Sequence, residues 1–146
     1  MKKFLTAMLC ALLGVCTVFA FAACGSPGGG FAYVAAMHDS FPHALELSKS
    51  GYNAFAVIYR PGWQTAYRDL ASALSFIFEN AYALGVDTDG YSLWGGSAGA
   101  RMAAELGSYG AAEYGGDDIP GPSAVIMRYT MPRSTPTHTT ALRRAQ

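Results

Sequence analysis

Five consecutive residues, Gly95-Gly96-Ser97-Ala98-Gly99, carry the strongest chemical signal in this chain. A serine with glycine two positions to either side is the pattern of a nucleophile held on a sharp strand-to-helix turn. Such a turn forces unusual backbone angles on the serine, and the strand and helix backbones pass so close that the flanking residues must be small. Gly95 and Gly99 meet that demand, and Gly96 and Ala98 add room. The chemistry this permits is acyl transfer, with Ser97 Oγ attacking a carbonyl carbon and N–H donors stabilising the oxyanion that develops. A phosphate cradle is the competing use of a glycine-rich turn between strand and helix, but no lysine stands at the position a P-loop requires.

Acyl transfer needs at least two such donors. One is the backbone N–H of Ala98, next after the serine and at the start of its helix, where the dipole also favours negative charge. A second source is Gly28-Gly29-Gly30-Phe31, because consecutive glycines let a loop turn its N–H groups toward a substrate; Gly29 and Gly30 are the donors expected there. The same triple glycine also reads as a flexible linker. No metal or other cofactor is expected. His38 and His43 are five apart instead of the four that puts two ligands on one helical face, and His138 stands in the C-terminal segment.

These residues need elements to hold them. Tyr91–Trp94 reads as a short apolar strand leading into the serine turn, and the helix after it runs through Arg101–Leu106 to end near Gly107. Upstream, residues 25–30 are too glycine-rich for a central strand and read as a loop. Phe41, Ala44, Leu45 and Leu47 give a short amphipathic helix over 40–48, with Ser40 as N-cap and Gly51 beyond its end. The nearly continuous apolar run 52–59 predicts a strand buried on both faces, stopped by Arg60-Pro61-Gly62. Leu70, Ala73, Leu74, Ile77, Phe78 and Ala81 predict a helix over 65–84, closed by Gly85. Residues 86–90 read as a turn, 109–122 as a loop and 123–129 as a further strand. Strands alternating with helices imply an α/β fold with a parallel sheet and flanking helices.

Composition agrees with a folded middle and an exported chain. Of the 146 residues 51% are hydrophobic and 14% charged, which excludes a disordered polyelectrolyte. Net charge is zero, but all ten acids lie between the leader and the tail against only five bases, Lys49, Arg60, Arg68, Arg101 and Arg128. A middle of net −5 has no basic stripe, so nucleic acid is not expected as a partner. Lys2-Lys3 followed by an uncharged run has the form of a secretory signal. Its end, Phe21-Ala22-Ala23-Cys24, resembles a lipobox and makes Cys24 the candidate for lipidation, hence an exported lipoprotein attached to the membrane. Cleavage after Ala22 to give a secreted product and retention as an anchor are the alternatives. The division expected is a signal segment over 1–24, a domain over 25–130 and an unstructured tail over 131–146.

Taken together, residues 27–130 resemble an α/β-hydrolase of the esterase/lipase group with a Gly-Gly-Gly oxyanion loop. Pro27-Gly28-Gly29-Gly30-Phe31 is similar to that loop, Tyr59-Arg60-Pro61 to the segment after the next strand, and Asp69 to an acid near the start of the following helix. Leu93-Trp94-Gly95-Gly96-Ser97-Ala98-Gly99-Ala100 is similar to the nucleophile elbow and its helix. The resemblance implies a serine hydrolase acting on a small-molecule ester, with Ser97 as nucleophile and Gly29, Gly30 and Ala98 as oxyanion donors. The family also puts a buried strand before the glycine loop. Either residues 15–22 form that strand and are not a signal, or a segment is missing between leader and loop. The family further places an acid and a histidine after the serine. Here the later acids Glu105, Glu113, Asp117 and Asp118 all precede the last strand, and the only later histidine is His138. No triad is assigned. The expectation is an incomplete copy with little or no esterase activity, or a non-catalytic exported lipoprotein whose α/β remnant binds a ligand or partner.

Overall fold

In the computed structural model, which describes residues 20–129, the end of the N-terminal apolar run becomes a strand, β1, at Ala20–Ser26. The lysine pair, Cys10, Cys16 and the tail with His138 lie outside the described residues. Two short helices follow, α1 at Ala36–Asp39 and α2 at Phe41–Lys49, then strand β2 at Asn53–Ala56. Helix α3 spans Trp63–Glu79 and breaks at Asn80 before the one-turn α4 at Ala81–Leu84. Strand β3 runs over Val86–Gly96, α5 over Ala98–Tyr109 and β4 over Ala124–Arg128. The strands pair in the order β2-β1-β3-β4, all parallel.

The chain leaves β1 toward β2 on one side and then crosses back to β3 on the other. The order of strands therefore reverses direction between β1 and β3. In open α/β sheets the crevice beyond the carboxyl ends of two such strands is where ligands bind. The register fixes how that crevice is built, because Ser26 at the end of β1 pairs with Gly95 near the end of β3. Both strands thus finish level, and the glycine loop and the serine turn emerge side by side.

Helix α3 buries Ala66, Tyr67, Leu70, Ala71, Leu74 and Ile77, the stripe its period demands, against Val57, Tyr59, Leu93 and Met102. Helix α5 buries Met102, Ala103 and Leu106. Gly85 closes α4 in the left-handed region at φ 65°.

Several expectations are corrected. Gly25 and Ser26 belong to a central strand, since a Cβ on Gly25 would collide with the Trp94 indole and the missing side chain is what admits that ring. The sheet thus has four strands among the described residues. Residues 86–90 continue β3, stitched to β1 through Ala20↔Val86 and Phe21↔Asp87 with a register shift before Ala23↔Ser92. Ser40 stands before α2, but its hydroxyl caps nothing and is buried. The run 52–59 is strand only to Ala56, and β4 is exposed along its length, with Ile126 and Met127 about half accessible. Among the described residues no helix is long and apolar enough to cross a membrane.

Cys24, expected as a lipidated terminus, is instead an interior residue of β1 at 2% exposure. Residues 20–23 cannot both be cleaved away with a leader and pair with β2 and β3, so the fold and the lipobox make competing uses of the same residues. Burial pushes the Cys24 thiol up to about 12. A maleimide at pH 8 should therefore leave Cys24 unmodified in the native chain and modify it after denaturation, as read by peptide mass mapping. A Cys24 blocked even when denatured, with the added mass of acyl chains, would favour the leader.

The same burial acts on tyrosines. Tyr59, Tyr91 and Tyr114 are each pushed up to about 12, burial being the largest cause in all three. The folded chain holds these protons to higher pH than the unfolded chain does. Stability is therefore fully present below about pH 9 and is lost as pH rises toward 12. A circular-dichroism titration should show unfolding that begins above pH 9 and steepens above pH 10; an unchanged signal up to pH 12 would contradict this.

Candidate active site

Ser97 occupies the link between β3 and α5 with φ 51° and ψ −112°, a region that residues with a side chain seldom enter. Two bonds hold it there. Its N–H donates to Arg128 O at the end of β4 (3.0 Å), and its carbonyl accepts the Arg101 N–H (3.2 Å), the first bond of α5. The close approach required of an elbow is present: a Cβ on Gly95 would lie 2.8 Å from Ala100 N, and one on Gly99 would overlap Ser26 O. Gly96 is equally confined, its Cβ position falling 2.7 Å from Asp39 Oδ2 and against the Tyr129 hydroxyl.

Beside the serine lies the loop that leaves β1. Gly29 adopts φ 131°, and a Cβ there would collide with Tyr33 O. The loop's carbonyls are satisfied internally, Gly28 O by Ala35 N–H (3.0 Å) and Gly29 O by Ala32 and Tyr33 N–H (3.0 and 3.2 Å). Among the described residues the N–H groups of Gly29, Gly30 and Ala98 donate to no protein acceptor. Ala98 is the first residue of α5, where an N–H has no partner within the helix. Gly28, Gly29, Gly30 and Ser97 share one open pocket of about 360 Å³ with Tyr33, Ala35, Asp39 and Tyr129. Gly28 and Ser97 are so close that a Cβ on the glycine would sit 3.2 Å from Ser97 Cβ. The structure thus brings Ser97, Gly29 and Gly30 together around one cavity, with Ala98 adjoining.

Two residues that brace this loop were not singled out for that role by the sequence. Tyr59, just beyond β2, donates its hydroxyl to the carbonyls of Pro27 (3.1 Å) and Gly28 (3.2 Å). Asp39, 6% exposed, accepts the Gly28 N–H at 2.5 Å, and its Oδ2 and the Tyr129 hydroxyl both crowd the Cβ position of Gly96. Its other oxygen lies 4.0 Å from Arg128 Nη1. One buried carboxylate therefore ties the glycine loop to the end of β4 across the floor of the pocket. Asp39 directly precedes Ser40-Phe41-Pro42, and a helix-start reading fixes on Ser40 because local sequence shows nothing of Gly28 or Tyr129. Asp69 accepts Arg60 N–H (2.8 Å) and Nη2 (2.6 Å), and the Arg60 guanidinium holds its carboxyl below the ordinary range.

No histidine lines the Ser97 pocket among the described residues. His43 lies against Trp94, its ring edge-on at 5.3 Å, and against the Arg128 guanidinium. Glu105 accepts the Tyr114 hydroxyl, while Glu113, Asp117 and Asp118 are exposed. No group of three or more His, Cys, Asp and Glu side chains suited to a metal ion occurs among the described residues.

Comparison with known proteins extends this geometry. Residues 27–119 match the BD-FAE family. Among solved structures, the α/β hydrolase MGS-M1 from a Medee basin deep-sea metagenome is 29% identical, with a TM-score of 0.67 over 78% of this chain and 45% of that one. The acetyl ester-xyloside bifunctional hydrolase of Caldicellulosiruptor lactoaceticus is 26% identical, with a TM-score of 0.58 over 62% of this chain and 34% of its own. Thermogutta terrifontis esterase 2 with propionate bound is 29% identical at a TM-score of 0.55, covering 59% and 34%. The chain spans less than half the length of these structures. No curated protein matches it.

Proposed function

Since the chain belongs to the BD-FAE family and has an α/β-hydrolase fold, we propose that it carries the nucleophile and oxyanion half of a serine ester-hydrolase site. The observation that carries this reading is Ser97 in a strained backbone conformation, in one pocket with two glycines whose N–H groups are uncommitted. In the proposed reaction Ser97 Oγ attacks the carbonyl carbon of a small carboxylic ester. The oxygen that becomes negative is met by N–H groups of Gly29, Gly30 and Ala98. The leaving alcohol departs and an acyl-serine forms, to be released by water.

A base must take the serine proton, and no histidine stands beside Ser97 among the described residues. Turnover by this chain is therefore expected to be slow, with oxyanion donors and binding alone supplying roughly 10³ to 10⁴ over water. The same observation favours a second reading, a non-catalytic exported protein that uses the pocket only to bind. Exposure of the full chain to a fluorophosphonate separates the two. Slow labelling confined to Ser97 and lost in Ser97→Ala supports the hydrolase. Labelling no greater than in Ser97→Ala overturns it. Fast hydrolysis of p-nitrophenyl acetate that disappears in Ser97→Ala would refute the expectation of slow turnover.

A further inference from the structure

Two phenols line the Ser97 pocket, those of Tyr33 and Tyr129, and the ester-hydrolase reading gives neither a task. We propose that the Tyr129 hydroxyl relays the Ser97 proton to the leaving alcohol, so that acyl transfer proceeds without a histidine. This deepens the ester-hydrolase reading and rests on it.

The first argument is position. Arg128 O accepts the Ser97 N–H (3.0 Å), so the residue after Arg128 starts beside the nucleophile. There the chain takes φ 37°, a region that a residue with a side chain enters only when its surroundings hold it. The Tyr129 hydroxyl ends against the Cβ position of Gly96, the residue before the serine. Asp39 Oδ2 lies 2.7 Å from that same Gly96 position and 3.0 Å from the Cβ position of Gly28, which is itself 3.2 Å from Ser97 Cβ. Nucleophile and phenol thus share one carboxylate oxygen as a near neighbour and open on one cavity. Tyr33 packs instead over the oxyanion loop, its Cδ2 3.4 Å from the Cβ position of Gly29.

The second argument is protonation. Burial, and after it the Asp39 carboxylate, raise the Tyr129 phenol above its ordinary range, so its proton is in place at neutral pH. The Arg128 guanidinium, 5.6 Å over the ring, opposes that shift and steadies the partial negative charge that the oxygen carries during transfer. A hydroxyl donates and accepts at once, which is what a relay requires. The Asp39 carboxylate only accepts, and it already takes the Gly28 N–H (2.5 Å).

In acylation the Ser97 Oγ–H bond breaks and its proton passes to the Tyr129 oxygen, while Tyr129 gives its own proton to the departing alkoxide. The Oγ–C bond forms and the ester C–O bond breaks. Ser97 ends acylated, the alcohol neutral and Tyr129 as it began. Water then runs the path in reverse, its proton going to Tyr129 and that of Tyr129 to Ser97 Oγ, and the carboxylic acid is released. A phenol is far from matched to pH 7, so the gain is small and turnover stays slow.

The test compares two acetates that differ only in leaving group, on the full chain and on Tyr129→Phe, with Ser97→Ala as background. p-Nitrophenolate leaves without a proton, so its first-turnover release should stay within about threefold in Tyr129→Phe. Methoxide needs one, and methanol release from methyl acetate, followed by NMR, should fall about tenfold. Acetyl-Ser97, read by intact mass after the p-nitrophenyl ester, should persist about tenfold longer, because water uses the same relay. Tyr129 is 62% exposed and loses only a hydroxyl, and the retained p-nitrophenolate release reports that the pocket is still formed. Equal losses for the two esters, no loss for either, or the same pattern in Tyr33→Phe instead would overturn the relay and leave the hydrolase standing. A parent chain acetylated at Ser97 by neither ester would overturn both.

Discussion

Replacing Asp39 with alanine should slow fluorophosphonate labelling of Ser97 by about 10²-fold, the loss typical of a reacting geometry displaced by an ångström or so. The same change should cost the fold about 2–3 kcal/mol, because it leaves the buried Gly28 N–H without its acceptor. Among the described residues the carboxylate makes no hydrogen bond to Ser97 or to the proposed oxyanion donors. It acts by pinning Gly28, the residue before the two proposed oxyanion donors, to Arg128 at the end of β4. Asp39→Asn is the informative companion, since its amide oxygen still accepts the Gly28 N–H; it should recover much of the stability and most of the labelling rate. Measuring the saturation constant separately from the limiting rate tells positioning from damage. Positioning predicts a fall in the limiting rate, whereas a merely unstable chain would be rescued by working well below its unfolding temperature. Equal labelling by Asp39→Ala and the parent chain would refute the role.

Gly99→Ala is expected to be the more damaging change to the fold, at about 3 kcal/mol or somewhat more. The added methyl would overlap Ser26 O and come 2.8 Å from Pro27 O, both backbone atoms of the strand end and glycine loop that cannot swing aside. Since the whole stability of a small domain is only about 5–15 kcal/mol, the loss should be plain in a urea titration. Gly121→Ala is the control. Nothing lies within 4 Å of its Cβ position, and its change should stay within about 0.5 kcal/mol. A Gly99→Ala chain as stable as the control would mean that β1 and α5 are not packed as described.

Legibility followed the range of the interactions involved. The serine turn could be read because its demands are local: a strand, a nucleophile and small neighbours within five residues. Helix α3 could be read because a period of 3.6 survives in the sequence regardless of what covers it, although the break at Asn80 could not. Strand β1 at Ala20–Ser26 was only partly legible, because Phe21-Ala22-Ala23-Cys24 serves equally as the end of an apolar leader and as part of a strand; hydrophobicity alone does not separate the two. Gly25 deepened the ambiguity, since the reason for that glycine is the Trp94 ring, far along the chain. Residues 86–90 look like a turn, with two aspartates and a glycine, and become strand only through pairing with β1. Asp39 and Tyr59 escaped for the same reason. Their partners are carbonyls and an amide brought near by topology, which no spacing in the sequence announces.

The pairing of Ser26 with Gly95 has a kinetic meaning as well. The two strand ends that frame the pocket are separated by both crossover connections, so the long loop between them must close before either can be aligned. Helix α3 is made of local contacts and can form much sooner. During refolding, helical signal should therefore return well ahead of the capacity of Ser97 to be esterified. Pulsing a refolding chain with fluorophosphonate would date the moment at which the central strands lock, making the serine a reporter of sheet assembly whatever ester it acts upon.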